Sequence, residues 1–337
     1  MFEIISLTNR EKWNKIVCSM NEYDFYFLSE YHRLDRSGTP LLLYYRNNWD
    51  TLAMPVIVRN IDGTDYKDIT SVYGYAGPLT KRKNPAPESI AGFQAELKYF
   101  FDSNRIVSAF SRLHSLFSTQ SRLLEGIGAI SGATHTIGID LTLPLSEQKR
   151  PYAHSLKNAI NKLKRKGAVV RKASSKEEID SFITIYEETM NRVKASSIYF
   201  FPAEYFYNFL NSIDSFIMLA FYEGQPVSGS LCSFCNGIIQ AHLSATRNEF
   251  LYLSPLKLVW DEVRLWGVKQ GFHTLHLGGG IWNDNDSLFL FKSQFSKQYH
   301  PFKIWKYIHN QPVYDSLLFR RFGENVPDAS FFPLYRT

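Results

Sequence analysis

The fold is decided by the stretch from Phe216 to Leu277. It opens with Phe216-Ile217-Met218-Leu219-Ala220-Phe221-Tyr222, an apolar run of strand length, and meets the turn Glu223-Gly224-Gln225-Pro226. Val227 to Phe234 follows, then Asn236-Gly237, then Ile238 to Ser244. Three such runs separated by turn residues read as an antiparallel meander. Tyr252-Leu253-Ser254-Pro255 precedes a helix expected from Pro255 to about Gln270, with Leu256, Val259, Trp260, Val263 and Trp266 on one face. Ser254 is expected as its N-cap, and Pro255 suits the first turn. The strand Thr274 to Leu277 completes the unit.

The same order occurs once before. Leu41-Leu42-Leu43-Tyr44-Tyr45, the turn Asn47-Asn48-Trp49-Asp50 and the run Leu52 to Val58 form a hairpin. Tyr73-Gly74-Tyr75-Ala76-Gly77-Pro78 is a loop, after which a helix is expected from about Pro87 to Phe101 and a strand from Ile106 to Leu113. A further short helix is expected within Leu7 to Met20. From the first hairpin strand to the proline the spacing is 37 residues in one copy (Leu41 to Pro78) and 40 in the other (Ser215 to Pro255). We read an internal duplication. It divides the chain into domains 1–148 and 149–337, in keeping with a length of 337 residues and a prior of about 150 per domain.

Composition excludes several classes. Hydrophobic residues make up 45% and charged residues 21%, enough to bury sizeable cores and too balanced for global disorder. No apolar run approaches the roughly 20 residues of a bilayer helix. Met1-Phe2-Glu3-Ile4-Ile5 shows neither the basic nor the apolar region of an export signal, so the expected location is cytoplasmic. Cys18, Cys232 and Cys235 are too few for a disulfide framework. Cys232 and Cys235 lie three apart in a strand pattern, on opposite faces, as do His273 and His276, so no metal site is expected.

The net charge of +6 is concentrated. Lys149 to Lys172 holds nine Lys/Arg and no acid, and Ser155 to Lys166 within it has helical apolar spacing with Gly167 as a stop. Such a helix is either a solvated face or a surface for phosphates, with Lys162 and Arg165 as candidates. Leu277-Gly278-Gly279-Gly280 follows a strand but lacks the order of a nucleotide loop. Gly278 and Gly279 instead allow close backbone approach by a ligand, or a sharp exit from the strand. Lys292 lies between Phe291 and Phe295, where an ammonium in apolar surroundings needs an anionic partner or a shifted pKa.

Taken in order, several elements resemble the Fem family of peptidoglycan bridge-forming aminoacyltransferases and the Fem-like branch of the GNAT acyltransferases. They are the basic helix ending in Lys164-Arg165-Lys166-Gly167-Ala168-Val169, then Tyr186-Glu187-Glu188-Thr189-Met190-Asn191-Arg192, Gly224-Gln225-Pro226-Val227-Ser228-Gly229, Ala241-His242-Leu243-Ser244-Ala245, Leu253-Ser254-Pro255, and Leu277-Gly278-Gly279 before Phe291-Lys292. The resemblance covers about Tyr152 to Lys297. It implies an α/β fold, with α+β mixed sheets, of two tandem GNAT-like domains, the first having lost the recognisable site. No segment holds heptads long enough for the coiled-coil arm of some members.

The resemblance further implies an acyl- or aminoacyltransferase acting on an amine of a cell-envelope precursor, a peptidoglycan stem peptide or a nucleotide- or lipid-linked amino sugar. Such transfer needs an unprotonated amine, a donor for the oxyanion and a proton acceptor. In the GNAT fold the oxyanion donors come from main chain where two parallel strands splay, here Ile238 to Ser244 and Thr274 to Leu277, with N–H groups near Leu243 to Thr246. Lys292 is implied as charge-stabilising. His242 and His276 are base candidates by chemistry, and Arg192 and Tyr199 are expected near the acceptor. Tyr73 and Tyr75 stand in a loop that could stack on a sugar or close a tight turn. No permanently bound cofactor is expected. The donor is left between aminoacyl-tRNA and acyl-CoA, because Arg247 to Pro255 lacks the glycines that usually cradle CoA pyrophosphate. Expected partners are a phosphate-bearing precursor, a charged tRNA and the inner membrane surface. The competing expectation is a non-catalytic module binding an anionic glycan, a lipid-linked precursor or RNA.

Overall fold

The computed structural model describes residues 1–281, 283–329 and 331–337, and the backbone alone at residue 133. Along the chain the elements are β1 (Glu3–Ser6), α1 (Arg10–Val17), α2 (Ser29–His32), β2 (Thr39–Arg46), β3 (Thr51–Asn60), β4 (Lys67–Thr70), β5 (Leu79–Thr80), α3 (Pro87–Ser103), β6 (Ile106–Arg112), α4 (Gln120–Leu124) and β7 (Ala129–Asp140). There follow α5 (Leu145–Lys149), α6 (His154–Arg165), β8 (Val169–Lys172), α7 (Lys176–Arg192), α8 (Ala203–Ser212), β9 (Ser215–Tyr222), β10 (Gln225–Cys235), β11 (Ile238–Thr246), α9 (Leu256–Lys269), β12 (Thr274–Gly279), α10 (Ser287–Lys292), β13 (Gln298–Ile308) and α11 (Gln311–Phe322).

Two compact units result, Met1–Ala133 with Pro301–Thr337, and Thr134–His300. This division differs from the one expected at residue 148. Ile304 to Ile308 of β13 pair antiparallel with Ser108 to Arg112 of β6, which carries the C-terminal segment back into the first unit. Trp305, fully buried, anchors that return with an Nε1–H bond to Ile127 O at 2.7 Å.

In the first unit β2 and β3, and β3 and β4, pair antiparallel, whereas β4 and β6 are parallel across the α3 crossover. Phe93, Leu97 and Phe101 of α3 are buried in its core. The second unit repeats this arrangement. Its β9, β10 and β11 form an antiparallel meander, and β11 runs parallel to β12 across α9. The duplication expected from spacing is therefore a duplication of strand pairing, and the fold is mixed α/β with two units of the same strand order. Beyond their parallel pairs the copies diverge. In the first, Ala76 bridges Leu113 and its N–H reaches Arg112 O at 2.7 Å, rejoining the strands.

The core of the second unit joins Leu156, Ile160 and Leu163 of α6 to Leu258, Val259, Trp260 and Val263 of α9, over Ile239 and Leu275 of the sheet. A charged group is built into the unit. Arg264 donates from Nε and Nη2 to Asp261 Oδ1 at 3.1 and 2.8 Å, Arg264 Nη1 reaches Gln148 Oε1 at 2.8 Å, and Tyr152 donates to Asp261 at 3.1 Å. One sequence expectation is corrected in this unit. Ser254 does not cap α9, because its φ of 51° is left-handed and an N-cap side chain needs extended backbone; Pro255 holds the cap position. Among the described residues no helix is long and apolar enough to cross a membrane.

Candidate active site

Pairing between β11 and β12 covers Ile238 with Thr274, Ile239 with Leu275 and Gln240 with His276, and stops there. The strands continue to Thr246 and Gly279 without a further shared ladder, so a parallel pair opens into a V with main-chain edges facing each other. Both strands are irregular at the opening. In β11 the register against β10 slips between Leu231 and Cys232, leaving His242 as the extra residue of a bulge. In β12 the register against β7 slips between His276 and Gly278, leaving Leu277 extra. Gly278 has φ of 74°, which glycine adopts without strain, and a Cβ on Gly279 would stand 2.8 Å from His135 O. The glycines thus serve a sharp exit and a close approach to β7.

Lys292 ends α10, whose first turn is capped by Asp286 Oδ1 accepting from Phe289 N at 2.8 Å. Its Nζ donates to Gly279 O at 2.7 Å, which sets an ammonium at the end of β12. Burial pushes this lysine down from its ordinary 10.5 to about 8, partly offset by Asp286. Asp286 Oδ2 also takes Ile281 N at 2.6 Å, closing the turn that follows the strand.

The histidines separate by environment. The His242 ring lies parallel to Phe209 at 4.9 Å and its Nε2 accepts the Tyr205 hydroxyl at 2.8 Å. Burial lowers its pKa to about 3, so this ring holds a neutral, packed position and is poorly suited to collect a proton. His276 is fully buried; its Nδ1–H donates to Gln240 Oε1 at 2.7 Å and its Nε2 accepts from Thr136 at 2.8 Å. It ties three strands together. His135 on β7 is half-open to solvent and oriented by Asp284, a pairing that sequence reasoning missed although Asp284 lies in the stretch leading to Lys292. No local pattern could reveal it, since the partners are 149 residues apart.

Arg192 and Thr189 of α7 latch the end of β11. Thr189 Oγ1 and Arg192 Nη1 donate to Thr246 O at 3.2 and 3.0 Å, and Arg192 also holds the Asn248 side chain. Thr246 N lies 3.2 Å from Thr189 Oγ1, which removes it from the expected oxyanion donors. Tyr199 O accepts the Tyr186 hydroxyl at 2.7 Å, fixing the loop after α7. Lys162 and Arg165 are exposed on α6, whose opposite face is buried; neither bonds to the V among the described residues. Tyr73 and Tyr75 belong to the first unit. Tyr75 packs edge-on to Tyr26 at 5.4 Å and Phe302 at 5.8 Å, with His114 at 4.9 Å, so much of its ring is used in packing. Among the described residues no group of three His, Cys, Asp or Glu is placed to hold a metal ion.

Parallel strands that part around main-chain donors, with an amphipathic helix packed beneath, are the acyl-transfer geometry of the GNAT fold. Residues 150–286 match the family described as Acetyltransferase (GNAT) domain. This segment is similar to a GNAT acyltransferase domain. Solved structures share the whole architecture. FemX aligns with a TM-score of 0.72 and 12% identity, over 93% of this chain and 99% of that one. L-PGS from Bacillus licheniformis aligns with a TM-score of 0.60 and 16% identity, over 96% and 99%. A conserved protein of unknown function from Bacteroides thetaiotaomicron gives 0.59 and 9%, over 90% and 98%. At these identities the likeness is one of fold. A search of curated proteins returned no sequence match.

Proposed function

We propose that the protein transfers an aminoacyl group from a charged tRNA to an amine of a phosphate-bearing cell-envelope precursor, within the V of the second unit. The observation that carries this reading is the opening of β11 and β12 beyond Gln240 and His276, with Lys292 Nζ 2.7 Å from Gly279 O at the end of β12. Main-chain N–H groups of β11 would hold the developing oxyanion in a fixed geometry, so little reorganisation accompanies the reaction. Lys292 adds positive charge close by.

A tRNA donor is favoured over acyl-CoA by the turn between β11 and α9. A CoA cradle offers unclaimed N–H groups to pyrophosphate at a helix N-terminus. Here Arg247 N bonds to Val227 O at 2.9 Å and Phe250 N to Arg247 O at 3.0 Å, while Ser254 N bonds to Leu251 O at 3.0 Å. Asn248 N is taken at 2.6 Å by the Glu188 carboxylate, whose charge would oppose a phosphate in the same place. The remaining turn is a 3-10 helix, Asn248–Leu253, and Pro255, at the start of α9, has no N–H. The basic face of α6, with Lys162 and Arg165 exposed, supplies charge suited to a polyanionic donor or acceptor. Tyr252, in the turn after β11, is 72% exposed and Ile198, in the turn after α7, 60%, apolar surface suited to an amphipathic precursor at a membrane surface.

The test is mass spectrometry of the protein incubated with a panel of charged tRNAs and acyl-CoAs against muropeptide and amino-sugar acceptors. An aminoacylated product formed from tRNA alone is the expected result. Product formed from acyl-CoA would replace the donor, and no product with any pair would overturn the reading.

A further inference from the structure

We infer that His135 is the general base that takes the proton from the acceptor amine, positioned by Asp284. This rests on the transfer reading above and deepens it. Both oxygens of Asp284 are committed to His135. Oδ1 accepts the His135 main-chain N–H at 2.8 Å and Oδ2 accepts Nδ1–H at 2.5 Å. The carboxylate therefore fixes the ring and its tautomer, leaving Nε2 as a lone-pair acceptor that makes no hydrogen bond among the described residues. This arrangement makes an imidazole a base, since the carboxylate also stabilises the imidazolium that forms.

Position supports the assignment. His135 precedes Thr136, which pairs with Gly279, and its carbonyl lies where a Gly279 side chain would stand. Lys292 donates to the carbonyl of that same Gly279. The main chain of His135 and the Lys292 ammonium thus both lie against one residue, the end of the strand that forms one arm of the V. The His135 side chain is 42% exposed, as a group that exchanges protons with a bound amine must be, and the Tyr299 ring lies 6.3 Å from its own. The alternatives in the second unit are used otherwise: His242 holds Tyr205, and His276 is bonded at both nitrogens.

In the step itself the amine nitrogen bonds to the donor carbonyl carbon, and its proton passes to His135 Nε2. The tetrahedral intermediate then collapses with breakage of the ester C–O bond to the tRNA ribose. The proton returns from His135 to that oxygen, so the imidazole ends neutral and no other reactant is consumed.

His135→Asn tests this, because the asparagine amide keeps a donor toward Asp284 but offers no base. With the donor and acceptor pair found active for the wild type, kcat should fall about 10²- to 10⁴-fold, with a flattened acid limb of the pH profile. Hydroxylamine, whose nitrogen sheds its proton to water more readily once it has attacked, should show a smaller loss. Asp284→Asn should show an intermediate loss. Wild-type kcat in His135→Asn, or equal losses with both acceptors, would overturn the assignment, the second outcome marking a purely structural latch. Failure of the wild type with every pair and with hydroxylamine would instead remove the transfer reading itself.

Discussion

Lys292 Nζ lies 2.7 Å from the carbonyl oxygen of Gly279, so a lysine from a helix closes the end of a strand whose partner has already turned away. The contact couples the stability of the turn to the charge of the site.

Lys292→Met is expected to lower kcat about 10²- to 10³-fold, the scale for losing one group that stabilises a developing anion, while leaving the circular dichroism spectrum unchanged. Its stability should depend on pH in a defined sense. With a folded pKa of about 8 against 10.5, the unfolded chain binds more protons at this lysine between those values. The wild type therefore gains stability from Lys292 as pH rises through that window and loses it as pH falls through about 8. Urea midpoints near pH 7 and near pH 10 should show the wild type gaining on the variant at the higher pH. A constant difference would contradict the burial of this ammonium.

Gly279→Ala brings a Cβ to 2.8 Å from a main-chain oxygen of β7, which can yield only by moving the strand. A loss of about 1–3 kcal/mol is expected, with a larger drop in activity than stability alone explains, because the strand end carries both Lys292 and the approach to His135. Thermal melting and turnover measured on the same preparation check it. Gly167→Ala is the control, since no atom lies within 4 Å of its added Cβ, although its φ of 81° still imposes strain.

Arg264→Met should destabilise by about 3–5 kcal/mol, read from urea unfolding. Arg264 and Asp261 are both fully buried, and the substitution leaves the carboxylate with Tyr152 and with Lys149, 3.6 Å from its second oxygen. Arg264→Met combined with Asp261→Leu should recover much of the loss, since a hydrophobic replacement of both partners strands no charge.

Lys162→Gln with Arg165→Gln leaves the fold untouched, both side chains being exposed. If α6 meets phosphates, KM for the polyanionic substrate should rise with kcat retained. The slope of log K against log salt should become shallower by about 1 to 2. Filter binding across a salt series measures it, and an unchanged slope would assign these residues to a solvated face.

The sequence by itself determined the order of elements and their duplication. Turn pairs such as Asn236-Gly237 and apolar faces such as Leu256, Val259, Trp260 and Val263 are local signals, since periodicity and turn chemistry act within a few residues. It also singled out Lys292, Gly278 and Gly279. Tertiary structure alone decided what these residues do. The return of residues 301–337 to the first unit depends on β13 pairing with β6, and strand pairing across long separations leaves no local trace. The union of His135 with Asp284 and of Glu188 with Asn248 N likewise joins residues 149 and 60 positions apart. Burial made the remaining choice. It took His242 and His276, indistinguishable from any strand histidine by type, into packed and bonded positions, and left His135 open at the end of β12.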